Sequence, residues 1–225
     1  MIQIQQSTLQ FLSDIKRHNE REWFQANHKR YEDARKNFEV FVQAIIDEIT
    51  GFEPVLKGLE AKSCTYRINR DIRFSNDKTI YKTNMGAFIT KGGKKNGDRL
   101  AGYYVHIEPG GNSMLAGGAY MPPMPWLTAI RNKISEDGNS FIKIISNRDF
   151  KSFFGSIDGE RLKSAPKGFD RDDKYIGYLK MKSFLAAKTF SDRDIIEKNW
   201  FDTIIEGARI LKPFNDFLND YQEQA

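Results

Sequence analysis

The chain carries one cysteine, Cys64, in 225 residues. A single thiol excludes an internal disulfide, and such a residue usually serves as a small apolar filler. Histidine is scarce too, with only His18, His28 and His106, and no Cys/His spacing of a zinc site is present. No apolar run approaches the roughly 18 residues needed to cross a bilayer, so no membrane partner is expected. The opening MIQIQQSTLQFL has no basic n-region and no small-residue cleavage site. It does not read as an export signal, and together with the lone thiol it points to a reducing cytoplasm. Dinucleotide fingerprints, a phosphate-binding P-loop and a serine nucleophile elbow are all missing. No cofactor is expected, and neither repeats nor low-complexity tracts occur.

What is present fits one globular domain over residues 1–225. Hydrophobic residues make up 40% and charged residues 29%, enough for one sizeable core. Ser7 with Gln10, and Asn19 with Glu22, look like capping boxes that start two helices. Tyr31, Ala34, Phe38, Phe41, Val42, Ile45 and Ile49 then keep helical spacing up to Gly51. Strands are predicted over 61–68, 84–90, 100–108, 112–120 and 182–189, with a hairpin loop at GGKKNG. A helix should follow Pro125, and Asn139 and Asn147 should cap two short ones. Ser191 with Asp194 should start a C-terminal helix, broken by Pro213 before a last turn that carries Phe214, Phe217 and Tyr221. Helices at both ends and strands between predict an α+β fold: a mainly antiparallel central sheet with N-terminal and C-terminal helices packed on it.

Charge is uneven. The net value is +5, yet residues 61–100 hold ten Lys or Arg against three Asp. The densest part is RINRDIRFSNDKTIYK at 67–82, with Arg67, Arg70, Arg73, Lys78 and Lys82 against Asp71 and Asp77. It also contains Ile68, Ile72, Phe74 and Tyr81, which a solvated charge run does not need. A strand running into a structured loop is expected, with Ser75-Asn76-Asp77 as turn and Phe74 and Tyr81 pinning the loop to the core. Two like charges about 5 Å apart repel by roughly 3 kcal/mol at an effective dielectric near 20. Five cations with two local carboxylates therefore need further neutralisation. Either acids from elsewhere in the fold supply it or an external anion does, and arginine suits both. The candidate anion-binding set is Arg67, Arg70, Asp71, Arg73, Lys78, Tyr81 and Lys82. The lysines of the 91–99 tip read as solubility residues.

Secondary candidates lie elsewhere. Alternation on a strand over 102–108 puts Tyr104, His106 and Glu108 on one face. His-x-Glu offers either two metal ligands, lacking a third, or an acid–base pair, and equally a hydrogen-bonded structural histidine. Gly117-Gly118 suggests close backbone approach or a bulge. Lys167 in PKGFD could lend a cation to the same anion, or sit in a plain turn.

The pattern R-x-x-R-D-x-R-F-x-x-D-K-x-x-Y, filled here by Arg67, Arg70, Asp71, Arg73, Phe74, Asp77, Lys78 and Tyr81, resembles the signature of a bacterial family known as domain of unknown function 2461. The likeness extends to NEREWF at 19–24, GYYVHIEPG at 102–110, GGAYMP at 117–122, Ile130-Arg131 and PKGFD at 166–170, nearly the whole chain. Two positions depart from it. Ile80 stands where the family usually has Pro, and Asp172-Asp173 stand where a His often follows PKG[FY]D. The resemblance brings no established activity, and whether the chain is an enzyme stays open. Three functions remain: a pocket for a small anionic ligand, possibly catalytic; a nucleic-acid-binding module using the basic segment with Tyr81, Tyr103 and Tyr104; and an interaction or scaffold protein with a structural arginine network.

Overall fold

The computed structural model describes residues 2–71, 73 and 76–220. Ile72, Phe74, Ser75 and Tyr221, given roles above, lie outside the described residues. Three helices open the chain: α1 (Gln6–Arg17), α2 (Arg21–Ala26) and α3 (His28–Thr50). A short α4 (Ala61–Cys64) precedes β1 (Met85–Ile89), β2 (Gly102–Ile107) and β3 (Ser113–Ala119). Then come α5 (Met124–Ile145), α6 (Arg148–Phe154), α7 (Ile176–Leu179), β4 (Phe184–Phe190) and α8 (Trp200–Asn219). The four strands pair antiparallel in the order β1-β2-β3-β4. Helices at both ends around an antiparallel sheet make the fold α+β. No helix among the described residues is long and apolar enough to cross a membrane.

The strand period of two sorts the sheet into two unlike faces. Tyr103, Val105, Ile107 and Leu115 are buried on one of them. Helices α3 and α8 cover this face, bringing apolar stripes at helical spacing: Phe38, Phe41, Val42, Ile45 and Ile49 from α3, and Trp200, Ile204, Ala208 and Leu211 from α8. Phe41 and Trp200 stack at 5.0 Å where the two helices meet. Each such buried large side chain contributes about 1.5–3 kcal/mol of transfer free energy. The opposite face carries Gly86, Phe88, Tyr104, His106, Met114, Ala116 and Ala187, and Ala187 is exposed there.

Several local expectations are corrected. Residues 61–64 are helical rather than strand, because the Gln43 side chain accepts the Ala61 N–H at 2.8 Å, one of the donors that a helix start leaves unpaired. Only Thr65 bridges to Ala87. Ser7 lies inside α1 and caps nothing. Asn147 does cap α6, through the N–H groups of Asp149 and Phe150. Asn139 instead accepts from Lys174 Nζ and Tyr175 Oη, and the break in α5 falls at Asp137, where φ is −130° and ψ 46°. Ser191 and Asp194 do form a reciprocal box, but it opens a 3-10 turn (Asp194–Ile196), and α8 begins later. Pro213 does not break α8. A proline removes one helical donor, and buried Phe214, Phe217 and Leu218 beyond it hold the continued helix in the core.

Candidate functional site

The basic segment folds back on itself. Arg70 N–H donates to the Ile80 carbonyl at 2.9 Å and Lys82 N–H to the Ile68 carbonyl at 2.8 Å, with Asn69 bridged to Tyr81. Among the described residues of the segment, strand-like pairing is limited to this short ladder. Tyr81 is buried and stacks on Phe24 at 4.2 Å, so it pins the segment to the N-terminal helices as the sequence suggested. Asn19, read as a helix cap, instead accepts the N–H groups of Ile80 and Tyr81 at 2.8 and 2.9 Å.

The two local acids take one arginine each. Arg70 bonds Asp77 and Thr79, and its guanidinium holds the Asp77 carboxyl down to about 2, helped by the Thr79 N–H and hydroxyl. Arg73 grips Asp71 with two bonds, at 2.9 and 2.6 Å, and the Asp71 carboxyl is lowered by that pairing. Both pairs are partly solvated, and Arg73 is largely exposed. Lys78 is exposed. Arg67 and Lys82 are different. Among the described residues neither has a carboxylate within 4 Å, and Lys82 Nζ rests 5.3 Å from the Tyr66 ring centre. Burial pushes the Lys82 ammonium below the usual lysine range, and the charge of Arg67 pushes it further.

Lys82 borders a cleft of about 870 Å³ over the open sheet face, whereas Arg67 is exposed beside it and is not part of the lining. Arg70, Asp71, Lys82 and Lys94 line it on the polar side. Aromatic walls come from Tyr66, Phe88, Tyr104 and Tyr120. The segment 65–67 reaches the cleft because it pairs with the edge of β1, Tyr66 N–H donating to the Gly86 carbonyl at 2.9 Å. Tyr81 lies away from these walls, and Lys167 sits in the turn closed by Phe169 N–H to Pro166 O, where Gly168 has φ +91°. Another cavity, between α1 and α3, is lined by Gln5, Arg30 and Asn37, whose polar groups are already engaged: Asn37 by Gln3, Gln5 and Thr8, Arg30 by Asp14.

The floor of the cleft holds the second constellation. Tyr104 Oη lies 2.9 Å from His106 Nδ1, His106 Nε2 lies 3.1 Å from Glu108 Oε2, and the Thr83 hydroxyl donates to Glu108 Oε1 at 2.7 Å. Burial, then Tyr66 and the Glu108 charge, push the Tyr104 phenol up to about 12. The phenol is therefore protonated at neutral pH and can donate to Nδ1 while Nε2–H donates to Glu108. That assignment satisfies every member of the chain. Gly86 makes room for it: a Cβ there would stand 2.7 Å from the phenol oxygen. Both ring nitrogens of His106 are engaged, and among the described residues no group of three or more His, Cys, Asp or Glu could hold a metal ion.

Sequence reasoning missed Tyr66, Phe88, Lys94, Asn84 and Tyr120 in the cleft. Phe88 had a usable signal, since it shares the β1 face of Gly86. The others meet only through strand register and loop packing. Lys94 reaches in from the hairpin tip, its ammonium donating to the Lys62 and Ser63 carbonyls at 3.3 and 3.4 Å. His18 and His28 stay with Trp23, Phe24 and Tyr31 on the N-terminal helices.

Fold and site together define an α+β protein whose sheet is covered on one face and opens on the other into a cleft with aromatic walls and cations on its polar side. The family model described as a conserved hypothetical protein (DUF2461) matches residues 7–217, and the chain belongs to that family. No curated protein and no solved structure matches it.

Proposed function

We propose that the protein binds a small anionic ligand, phosphate- or carboxylate-bearing, where Lys82 and Arg70 line the cleft, with Arg67 exposed beside them. The observation that carries this reading is Lys82: a desolvated cation on the cleft lining, repelled by the neighbouring Arg67 charge, with no carboxylate within 4 Å among the described residues. Like charges repel more strongly as water is withdrawn, and a bound anion relieves that repulsion. The Tyr104–His106–Glu108 chain gives the same cleft a phenol whose O–H is held by His106, leaving its oxygen to accept from a ligand hydroxyl. The nucleic-acid reading has less support. Tyr81 is packed on Phe24, and Tyr103 is buried on the covered face with its hydroxyl on Glu53, so neither is placed to stack on bases. A reducing cytoplasm suits the one thiol, Cys64, which is buried and whose pKa burial raises.

Calorimetric titration with inorganic phosphate and with sulfate tests the binding. The intact chain should bind one anion, and Arg70→Ala and Lys82→Ala should each weaken it by about tenfold, the loss of one charge-assisted contact. Lys167→Ala should leave it unchanged. No heat and no thermal stabilisation with phosphate, sulfate or a dicarboxylate at 10-millimolar order would refute the proposal.

A further inference from the structure

We infer that the ligand is a nucleoside phosphate, its phosphate on Lys82 and Arg70 at the polar side of the cleft and its base against the aromatic rim. This rests on the anion reading above and specifies the rest of the molecule. A lone phosphate fills only a corner of a cleft of about 870 Å³, a size in the range of sites for whole organic ligands. Much of the remaining wall is aromatic: Phe88, Tyr104 and Tyr120, with Tyr66 beside Lys82. Tyr120 lines the cleft yet stays 67% exposed, and Tyr66 stays 43% exposed with Lys82 Nζ 5.3 Å from its ring centre.

The backbone next to Tyr120 is strained to hold this rim. Met121 is the only non-glycine among the described residues with positive φ, at 44°. Its N–H is tied to Ser183 Oγ at 2.9 Å. A non-glycine residue adopts this conformation only when its surroundings impose it, and such strain collects at ligand sites. Between the aromatic walls the sheet offers small side chains, Ala116 and Ala187, in the same cross-strand row as Phe88 and Tyr104. That leaves depth for a planar ring. Asn84 lines the cleft two residues from Lys82, and its carboxamide makes no hydrogen bond among the described residues. It offers both a donor and an acceptor to a base edge or a sugar hydroxyl. An anion at one end, a planar group at the other and an amide between them describe a nucleotide more closely than a dicarboxylate or a bare sugar phosphate.

The test is a calorimetric series on the full chain with AMP, GMP, CMP and UMP, set against ribose 5-phosphate and inorganic phosphate. At least one nucleotide should bind about tenfold or more tighter than ribose 5-phosphate, the range that one base–aromatic stack gives. Tyr120→Ala should bring that nucleotide down to the affinity of ribose 5-phosphate and leave ribose 5-phosphate unchanged, whereas Tyr66→Ala, which also removes the ring beside Lys82, should weaken both. Equal binding of ribose 5-phosphate or phosphate and all four nucleotides overturns the nucleotide assignment and leaves the anion site standing. Absence of binding by the whole series overturns the inference, and the anion reading falls with it when sulfate and a dicarboxylate also fail to bind. Tight nucleotide binding indifferent to both tyrosine substitutions also overturns the inference, because the base then lies elsewhere. So does a short oligonucleotide that outbinds every mononucleotide with a steep salt dependence.

Discussion

Asn19 holds both backbone groups of Tyr81, its Oδ1 accepting the N–H at 2.9 Å and its Nδ2 donating to the carbonyl at 3.0 Å. The same side chain takes the Ile80 N–H and reaches the Ile15 carbonyl at the end of α1. One carboxamide thus fastens the return arm of the basic segment to the N-terminal helices, and Lys82 follows at once. Asn19→Ala removes the side-chain partner of two donors and two carbonyls. The expected loss is about 2–3 kcal/mol in urea unfolding, since partly buried groups regain some water. Asn19→Asp keeps the acceptor and should lose less. Sulfate affinity should fall with Asn19→Ala as well, because Lys82 is no longer placed. A loss below about 0.5 kcal/mol would show that Tyr81–Phe24 stacking alone holds the arm.

The Arg70–Asp77 pair gives a direct titration. The Asp77 carboxyl sits at about 2, held there first by Arg70 and then by Thr79. A lowered carboxylate stabilises the fold above its ordinary value of 3.8, and that contribution is lost as pH falls through about 2. In Arg70→Ala the midpoint followed by carboxyl NMR should rise toward 3.8 yet stay below it, because the Thr79 bonds remain. A midpoint that does not move would mean the two side chains are not paired in solution.

Much of this architecture is readable from local pattern. Alternation in GYYVHIE separates Tyr103 from Tyr104 and puts His106 with Tyr104, because a strand has no other way to place them. The stripes of α3 and α8 follow from spacing in the same way. What stayed hidden depends on partners distant in sequence. Gln43 turns 61–64 helical from 18 residues away, and Asn19 serves Tyr81 across 62. The cleft is legible only in part. Arg70, Asp71 and Lys82 declare themselves by charge, whereas Tyr66 and Tyr120 look like ordinary aromatics until β1 and β3 set them on the cleft lining. Local charge also overstated the cluster, since Asp77 and Asp71 each occupy an arginine.

Gly118 is expected to be intolerant of any side chain. Its φ is +114°, and a Cβ would lie 2.0 Å from the Phe184 carbonyl oxygen, which is backbone and cannot swing aside. The sequence reading of Gly117-Gly118 as close approach has its physical basis here. Gly118→Ala must both strain φ and push β3 from β4, with an expected loss of about 3 kcal/mol or more. At this chain length that is a fall in Tm of roughly 6–12 °C by calorimetry. A variant within 1–2 °C of the parent would mean the strands separate there at little cost.

If the proposed anion site is correct, Lys82 should set the pH range over which it binds. Its ammonium is depressed by burial and then by Arg67, so it loses its proton at a lower pH than an ordinary lysine. For a base with a depressed value, the folded chain favours the neutral form, so this group's penalty on folding is present at neutral pH and fades as pH rises through the depressed value. Binding runs the other way. Sulfate favours the charged form, so its affinity should hold at neutral pH and fall as pH rises through the Lys82 midpoint. Sulfate carries the same charge throughout that range, so the fall belongs to the protein. Lys82→Arg supplies a cation that stays protonated at any pH the fold survives. It should move the loss of affinity to higher pH while keeping binding within about tenfold at pH 7, since guanidinium and ammonium differ in geometry but share the charge. Titrations with sulfate from pH 7 to 10.5 on both proteins decide the matter. An identical profile in the two would place the anion away from Lys82.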